Sequence, residues 1–390
     1  MKSKVFGSSL IIAGTTIGAG MLALPLVSAS LGFFTASVLM IAIWAVMSYT
    51  SLLMLEVHQH SDRSATLHSL ALQFLGKNGQ RLATFSMLFL FYALCAAYIA
   101  GGSEQFHTKI NQLSFISLSK TSSTILFTLI IAFIISLGTK TVDFINRGLF
   151  SLKIVMLIAI LFFLTPNISG EYLLALPVEQ GVFITALPVV FTSFGFHGSI
   201  PSIVKYLELD IKKIKISLLV GSSIPLVIYL FWQGITLGLL SQSEFSTINS
   251  LTAFITTIQN SIDKAYIQQA LSLFADLALI TSFIGVSLGL FDFLRDSSKK
   301  WQQSTIITAL LTYTPPLLFA LFYPQGFIMA LGYAAIALVI LALFLPVALV
   351  VSARKVHTGT HYQVASKNLG LIVAVILGIT IIGCQIVVSL

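Results

Sequence analysis

The stretch GTTIGAGM at residues 14–21 stands in the middle of the apolar segment 5–29 and is followed by Pro25. Each glycine costs a helix about 1 kcal/mol relative to alanine, so this cluster favours local unwinding. The stretch FTSFGFHGSIP at residues 191–201 repeats the pattern inside the apolar segment 182–204. The sequence therefore predicts two helices that are each interrupted near the middle.

Apolar blocks of this kind dominate the whole chain. Of 390 residues, 57% are hydrophobic and 9% are charged, whereas soluble domains carry about 25% charged residues. A block of about 20 apolar residues matches a helix that crosses a bilayer, where each backbone polar group must be bonded within the segment. Eleven predicted spans lie at 5–29, 33–57, 82–102, 122–137, 144–164, 182–204, 216–240, 268–293, 304–322, 327–351 and 369–390. We expect an all-α polytopic membrane protein that forms a single domain, residues 1–390, in the lipid bilayer.

The distribution of basic residues predicts the orientation of these spans. With the N-terminus in the cytoplasm, Lys109, Lys120 and Lys264 fall in outer segments and Lys153 falls inside a span, while the others of the 21 Lys and Arg residues lie in inner segments. An odd number of spans then places the C-terminus on the periplasmic side. Topology thus explains the net charge of +8, which gives no reason to expect a nucleic-acid partner.

The two interrupted helices are five spans apart. An odd separation inverts the second helix relative to the first, as in transporters built from inverted repeats with the substrate at the membrane midplane. We expect a first repeat at 1–166, a second, inverted repeat at 182–351 and an extra helix at 369–390. Alternatively, the glycines only allow close helix packing, but hydroxyl residues beside them in both stretches favour a binding site.

An interruption exposes backbone amides on one half-helix and backbone carbonyls on the other. The amides of Gly18, Ala19 and Gly20 suit a carboxylate at a helix N-terminus, and the carbonyls up to Thr15 and Thr16 suit an ammonium. A ligand that carries both groups is then held without any charged side chain. Further candidates for contact with the substrate are Ser193, Phe194, Phe196, His197 and Tyr92.

Several of these candidates also have a purely structural interpretation. Phe194, Phe196 and Tyr92 are as typical of helix packing as of a pocket wall. His197 could bind the substrate, relay protons, or hold the interrupted helix by bonding a carbonyl. The residue pattern leaves these alternatives open.

Four stretches resemble the hydroxy/aromatic amino acid permease family of bacteria. They are GTTIGAGMLALP at 14–25, FTSFGFHGSIPSIV at 191–204, LFADLALITSFIGVSLGLFDF at 273–293 and ALFYPQGFIMALGYA at 320–334. The first is shared with tryptophan permeases, and the later ones look like the tyrosine-specific members. The resemblance implies a LeuT-like five-plus-five fold with one extra helix, a place in the bacterial cell inner membrane, and import of L-tyrosine with protons. A tryptophan or broad aromatic amino acid permease is the alternative.

The resemblance also suggests where a proton could act. In sodium-coupled relatives of this architecture, a hydroxyl pair at the position of Thr281 and Ser282 helps to hold a cation. Lys153 either extends back to the cytoplasmic face or points at the first interruption and this pair, replacing the sodium ion. Since removal from water favours the neutral form of a lysine, such a lysine can lose and regain a proton. Asp276 is the other candidate proton carrier, with a structural hydrogen bond as its alternative role.

Two other functional classes are less consistent with the sequence. A channel or passive facilitator would show polar ring-forming helices rather than two interruptions five spans apart. An enzyme, a metal site or a bound cofactor would need a catalytic cluster, a metal-ligand spacing or a phosphate-binding loop, and the sequence shows none of these. We expect no enzymatic activity, no metal and no cofactor.

Overall fold

A computed structural model describes residues 2–112, 117–175, 182–262, 264–297, 304–357, 362–365 and 368–390. In these ranges every regular element is a helix, and no strand is present. Among them, nine helices are long and apolar enough to cross a membrane. An all-helical, polytopic membrane protein is thereby confirmed.

Seventeen α-helices form the molecule in the described ranges. They are α1 (Lys2–Thr16), α2 (Gly20–Ser28), α3 (Gly32–His58), α4 (Leu67–Gln112), α5 (Lys120–Ser136), α6 (Thr139–Leu164), α7 (Gly170–Leu173), α8 (Val182–Ser193), α9 (Ile200–Tyr206), α10 (Ile211–Leu239), α11 (Gln242–Thr247), α12 (Leu251–Asn260), α13 (Ala265–Ser297), α14 (Thr305–Phe322), α15 (Phe327–Val339), α16 (Leu345–Val356) and α17 (Asn368–Ser389).

Both predicted interruptions are present. The first separates α1 from α2 at residues 17–19, and the second separates α8 from α9 at residues 194–199, where a 3-10 turn covers His197–Ser199. Glycine is required here by close approach. A Cβ atom on Gly18 would lie 2.7 Å from Ser282 Oγ, and one on Gly20 would lie 3.0 Å from Ser193 Oγ.

The interrupted helices lie at the centre of the bundle. α1 packs along α10, α2 packs against α8, and α13 packs against both α4 and α6. The peripheral helices instead expose large apolar side chains, each more than half exposed, such as Phe133 of α5, Phe162 of α6 and Ile379 of α17. An apolar surface of this extent is suited to lipid, not to water.

Two segments between the predicted spans contain helices. Before the predicted third span, residues 67–75 form the first turns of α4, which Gly76 (φ 71°) separates from the rest of that helix. The segment 241–267 contains α11 and α12. Because Phe254 and Ile258 of α12 are fully buried, this segment is packed onto the bundle.

The count of eleven spans stays a prediction. The first predicted span is divided between α1, of 15 residues, and α2, of 9 residues. The fourth corresponds to α5, whose 17 residues are about 26 Å long at 1.5 Å per residue, slightly less than a bilayer core of about 30 Å.

Candidate functional site

A cavity of about 480 Å³ lies beside the first interruption. Seven helices line it: α1, α2, α4, α6, α8, α13 and α15. Thr15, Thr16, Gly18 and Gly20 line it from the first interrupted helix, and Ser193 lines it from the second. The cavity is therefore located where the two interrupted helices meet.

The cavity extends along α6 from Lys153 to Asn146 and Arg147. The side chain of Arg147 is 78% exposed and is paired with Asp143 at 2.7 Å. The space beside the interruption thus runs toward the end of α6 that the sequence predicts to face the cytoplasm.

Lys153 holds three elements together at the interruption. Its Nζ donates to the carbonyl of Ile17 at 2.9 Å and to Thr281 Oγ1 at 3.1 Å, and it lies 4.5 Å from the centre of the Phe150 ring. The residue is only 2% exposed. Its side chain therefore points inward, and the ion pairs found among the described residues include none with Lys153.

The backbone at the first interruption has both satisfied and available donors. The amide of Ala19 donates to Ser282 Oγ at 3.0 Å, and the amides of Met21 and Leu22 donate to the carbonyls of residues 18 and 19. In the part of the chain that the structure describes, no hydrogen bond satisfies the amides of Gly18 and Gly20. These two donors are available to an anionic group at the start of α2.

Tyr229 of α10, which the sequence analysis missed, connects the two interruptions. Its hydroxyl lies 2.6 Å from the carbonyl oxygen of Thr16 and 3.0 Å from that of Ser193, and the residue is fully buried. Ser193 Oγ also donates to the carbonyl of Gly20 at 3.2 Å. A tyrosine in an apolar helix gives no signal that separates this role from ordinary packing.

Two further polar residues line the cavity. Asn146 lines the cavity, and its side-chain oxygen is buried without a hydrogen-bond partner among the described residues. Tyr98 also lines it. Asn146 lies in a predicted span with no distinguishing pattern around it, so nothing in the sequence separates it from its neighbours.

Two glycines of α13, Gly285 and Gly289, have different surroundings. A Cβ atom on Gly285 would meet no atom within 4 Å, because this residue faces the cavity. Only Gly289 is in close contact, with the Phe91 ring 3.2 Å from the position of its Cβ.

The aromatic candidates of the second interruption do not line this cavity. The Phe194 ring packs edge-on against Tyr229 at 5.2 Å between ring centres, and the Phe196 and His197 rings lie 5.0 Å apart. His197 Nε2 is hydrogen-bonded to Thr50 Oγ1 at 2.9 Å. The structure thus places all three in the core behind the interruption.

Two further candidates also lie away from the cavity. Tyr92 donates its hydroxyl to the carbonyl of Leu311 on α14 at 2.8 Å. Asp276 forms an ion pair with Lys109 of α4. Of the predicted residues, Thr15, Thr16, Gly18, Gly20, Ser193, Lys153, Thr281 and Ser282 line the cavity, and Ala19 is bonded directly to Ser282.

Two interrupted helices around a central cavity, in an all-helical membrane protein, are typical of secondary transporters. The model of the tryptophan/tyrosine permease family matches residues 1–385. The chain belongs to this family, and it is therefore a multi-pass membrane permease and not an enzyme.

Three curated relatives cover nearly the whole chain. The chain is 43% identical to "Tyrosine-specific transport system 1" of Haemophilus influenzae, over 97% of this chain and 96% of the relative. It is 33% identical to the "Tryptophan-specific transport protein" of the same organism, over 98% and 96%. It is also 33% identical to "Glutamine transporter 2" of Aliivibrio fischeri, over 99% and 100%.

Proposed function

We propose that this protein is a symporter that imports L-tyrosine together with protons across the bacterial cell inner membrane. The observation that carries the proposal is the cavity beside the first interruption, which offers unpaired donors at one end and an unpaired acceptor at the other. The higher identity to a tyrosine-specific relative than to the tryptophan-specific and glutamine relatives supports the choice of substrate.

The proposed pose places the amino acid group at the interruption. The substrate carboxylate accepts hydrogen bonds from the amides of Gly18 and Gly20. Its ammonium lies near the carbonyl end of α1, where Thr15 and Thr16 donate their hydroxyls back to the Ile12 carbonyl at 2.8 and 2.9 Å and so keep oxygen lone pairs available as acceptors. Neutral dipoles thereby hold both charges of the zwitterion.

The aromatic ring extends toward Asn146 in this pose. Asn146 is seven residues before Lys153 on α6, a rise of about 10 Å, which is similar to the length of a tyrosine molecule. The unpartnered Asn146 oxygen is then the acceptor for the phenol hydroxyl. A buried acceptor that only tyrosine satisfies discriminates against phenylalanine, because phenylalanine leaves it unpaired.

Lys153 is the proposed proton carrier. A buried ammonium among neutral acceptors is costly, and the substrate carboxylate at Gly18 and Gly20 brings an opposite charge next to it. Substrate binding and protonation therefore favour each other, and departure of the substrate favours release of the proton. The Lys153 ammonium bonds Ile17 and Thr281 and in this way takes the place of a sodium ion. Transport therefore needs no sodium.

The proposed fold is LeuT-like, with eleven spans in two inverted five-helix repeats and one extra helix. The continuous apolar helical segment Gly20–His58 has 39 residues and would extend about 58 Å if straight, too long for one crossing. Gly32, at φ 71° and ψ 163°, is where we place its turn. Reporter fusions within 241–267 should read periplasmic, as should fusions after Leu390, and a cytoplasmic reading would contradict this topology.

Uptake by proteoliposomes tests the function. We expect labelled L-tyrosine to accumulate when the lumen is more alkaline than the medium, equally with sodium or potassium salts. Uptake that only equilibrates would indicate a facilitator, and accumulation that requires sodium would contradict the role of Lys153. Competition by phenylalanine and tryptophan, in the wild type and in Asn146→Leu, tests the pose. The variant should lose the preference for tyrosine over phenylalanine, and an unchanged preference would remove Asn146 from the site.

A further inference from the structure

A second cavity, of about 540 Å³, lies farther along the groove between α4 and α13. Residues 90–98 of α4 and 281–286 of α13 line the first cavity, while residues 102–112 and 276–280 of the same helices line the second. The two cavities are therefore in series, and adjacent residues of α13, Ile280 and Thr281, border one each. The proposed topology places the second cavity on the periplasmic side.

Opposite charges from the two helices meet at the second cavity. Lys109 of α4 and Asp276 of α13 line it and form an ion pair. Their side chains are 37% and 21% exposed, so a solute in the cavity can reach both. An ion pair of this kind can be exchanged for a ligand that carries one charge of each sign, because neither protein charge is then left without a partner.

The rest of the second cavity's wall is apolar and aromatic, and it includes one side-chain amide with an unpaired donor among the described residues. The Phe106 and Phe127 rings lie 5.9 Å apart between centres, and Gly102 lets Phe127 approach, since a Cβ there would lie 2.5 Å from that ring. Gln105 also lines the cavity and is 4% exposed, yet its Nε2 has no hydrogen-bond partner among the described residues. A buried amide donor of this kind requires an acceptor, and none of the described residues supplies one.

We propose that the second cavity is an outer binding site for a zwitterionic aromatic amino acid, occupied before the substrate reaches the first cavity. Lys109 binds the carboxylate, Asp276 binds the ammonium, the rings of Phe106 and Phe127 contact the aromatic side chain, and Gln105 donates to a ligand oxygen. This assignment rests on the proposed function, because it takes its ligand class from the transported substrate.

The polar cluster between the two cavities separates the sites. Tyr98 and Ser282 line the first cavity, as do Lys153 and Thr281, which are hydrogen-bonded to each other. A molecule that moves along the groove from Asp276 toward Gly18 must pass these side chains. Occupation of the outer site is thus a separate event from binding at the interruption.

The test measures access to the second cavity while the first cavity is blocked. Ile110, which lines the outer cavity, is changed to cysteine in a chain whose native thiols are removed by Cys95→Ala and Cys384→Ala. A membrane-impermeant methanethiosulfonate is added from outside. Gly285→Phe then fills the first cavity from a position with open space around it. The control is Gly148→Phe, at a similarly open glycine that lines neither cavity.

We expect L-tyrosine to slow the labelling of Ile110→Cys in both backgrounds. No protection in the Gly285→Phe background would overturn the outer site. Tyramine, which lacks the carboxylate, and 4-hydroxyphenylpropionate, which lacks the ammonium, should protect far less well, and equal protection by either would overturn the assignment of a zwitterion.

Neutral replacement of the charges gives a second measurement. In Lys109→Gln/Asp276→Asn the tyrosine concentration for half-protection should rise by at least about tenfold, as expected when charge-assisted hydrogen bonds are lost. Lys213→Gln/Asp210→Asn, which removes a distant ion pair, should leave it unchanged. If the first double variant fails to fold, Gln105→Leu replaces it with the same expected direction. If the tyrosine concentration for half-protection is unchanged in whichever of these variants folds, the proposal is overturned.

The outcomes separate this proposal from the proposed function. If the wild type accumulates tyrosine but tyrosine does not protect Ile110→Cys in the blocked chain, only the outer site is wrong. If no aromatic amino acid is taken up and none protects the cysteine, both proposals are wrong.

Discussion

The two interruptions are similar in composition, but different parts of the molecule satisfy their polar groups. At the first, side chains from three other helices bond the backbone: Lys153 at Ile17, Ser282 at Ala19 and Tyr229 at Thr16. At the second, three backbone bonds are local, from residue 194 to 191, 195 to 192 and 199 to 196, and one side chain from another helix, Tyr229, bonds the backbone at Ser193. A backbone held by distant side chains can be altered by a ligand or a proton, whereas a locally bonded one acts as a support.

The largest expected effect concerns the first interruption itself. Gly20→Val should weaken tyrosine binding by about 100-fold, because overpacking of about 1–3 kcal/mol against Ser193 adds to the obstruction of the amide donors. Equilibrium binding to the purified protein measures this. Gly7→Val is the control, since a Cβ on Gly7 meets no atom within 4 Å. Normal binding by a well-folded Gly20→Val protein would place the carboxylate elsewhere.

A smaller effect, confined to coupling, is expected at Lys153. Lys153→Gln keeps hydrogen-bond donors for Ile17 and Thr281 but cannot carry a proton, so it should bind tyrosine and no longer concentrate it. With one proton per substrate, a gradient of one pH unit drives about tenfold accumulation in the wild type, and the variant should reach equal concentrations only. Lys140→Gln, at an exposed position of the same helix, is the control. If the variant still concentrates tyrosine, Lys153 is not the proton carrier, and Asp276 and His197 become the candidates.

The smallest functional effect is expected at the second interruption. Thr50→Val leaves the Nε2 atom of buried His197 without its partner, which should lower the free energy of unfolding by about 1–3 kcal/mol. Tyrosine affinity should change by no more than about twofold, since the two sites are separate. Melting temperature and binding, with Thr50→Ser as the control that keeps the hydroxyl, measure both. A large loss of affinity without loss of stability would show that the second interruption also contacts the substrate.

Sequence reasoning found both interruptions and the one lysine within a span because these are compositional signals. Glycine clusters and a basic residue stand out in an apolar helix, whereas Tyr229 and Asn146 do not. A residue pattern also fixes the angular position of each side chain around its own helix, but it does not show which neighbouring helix that side chain faces. Phe194, Phe196 and Tyr92 therefore looked equivalent to true cavity residues.

The ion pair of Asp276 was not predicted, for a different reason. The third span was predicted to end at residue 102, which left Lys109 in a loop with no relation to α13. In the structure α4 continues to Gln112 and brings Lys109 alongside Asp276. Helix boundaries beyond the apolar block carry little sequence signal, because polar residues near the membrane surface are compatible with helix and loop alike.

The position of Tyr229 has a consequence for movement within the bundle. A phenol has one hydroxyl proton, yet its oxygen lies within hydrogen-bond distance of two carbonyls, those of Thr16 and Ser193. When one half of the molecule shifts relative to the other, the proton can pass from one acceptor to the next without an interval in which it has none. The hydroxyl therefore keeps the two interrupted helices hydrogen-bonded to each other at a buried point, while it opposes their relative rotation very little.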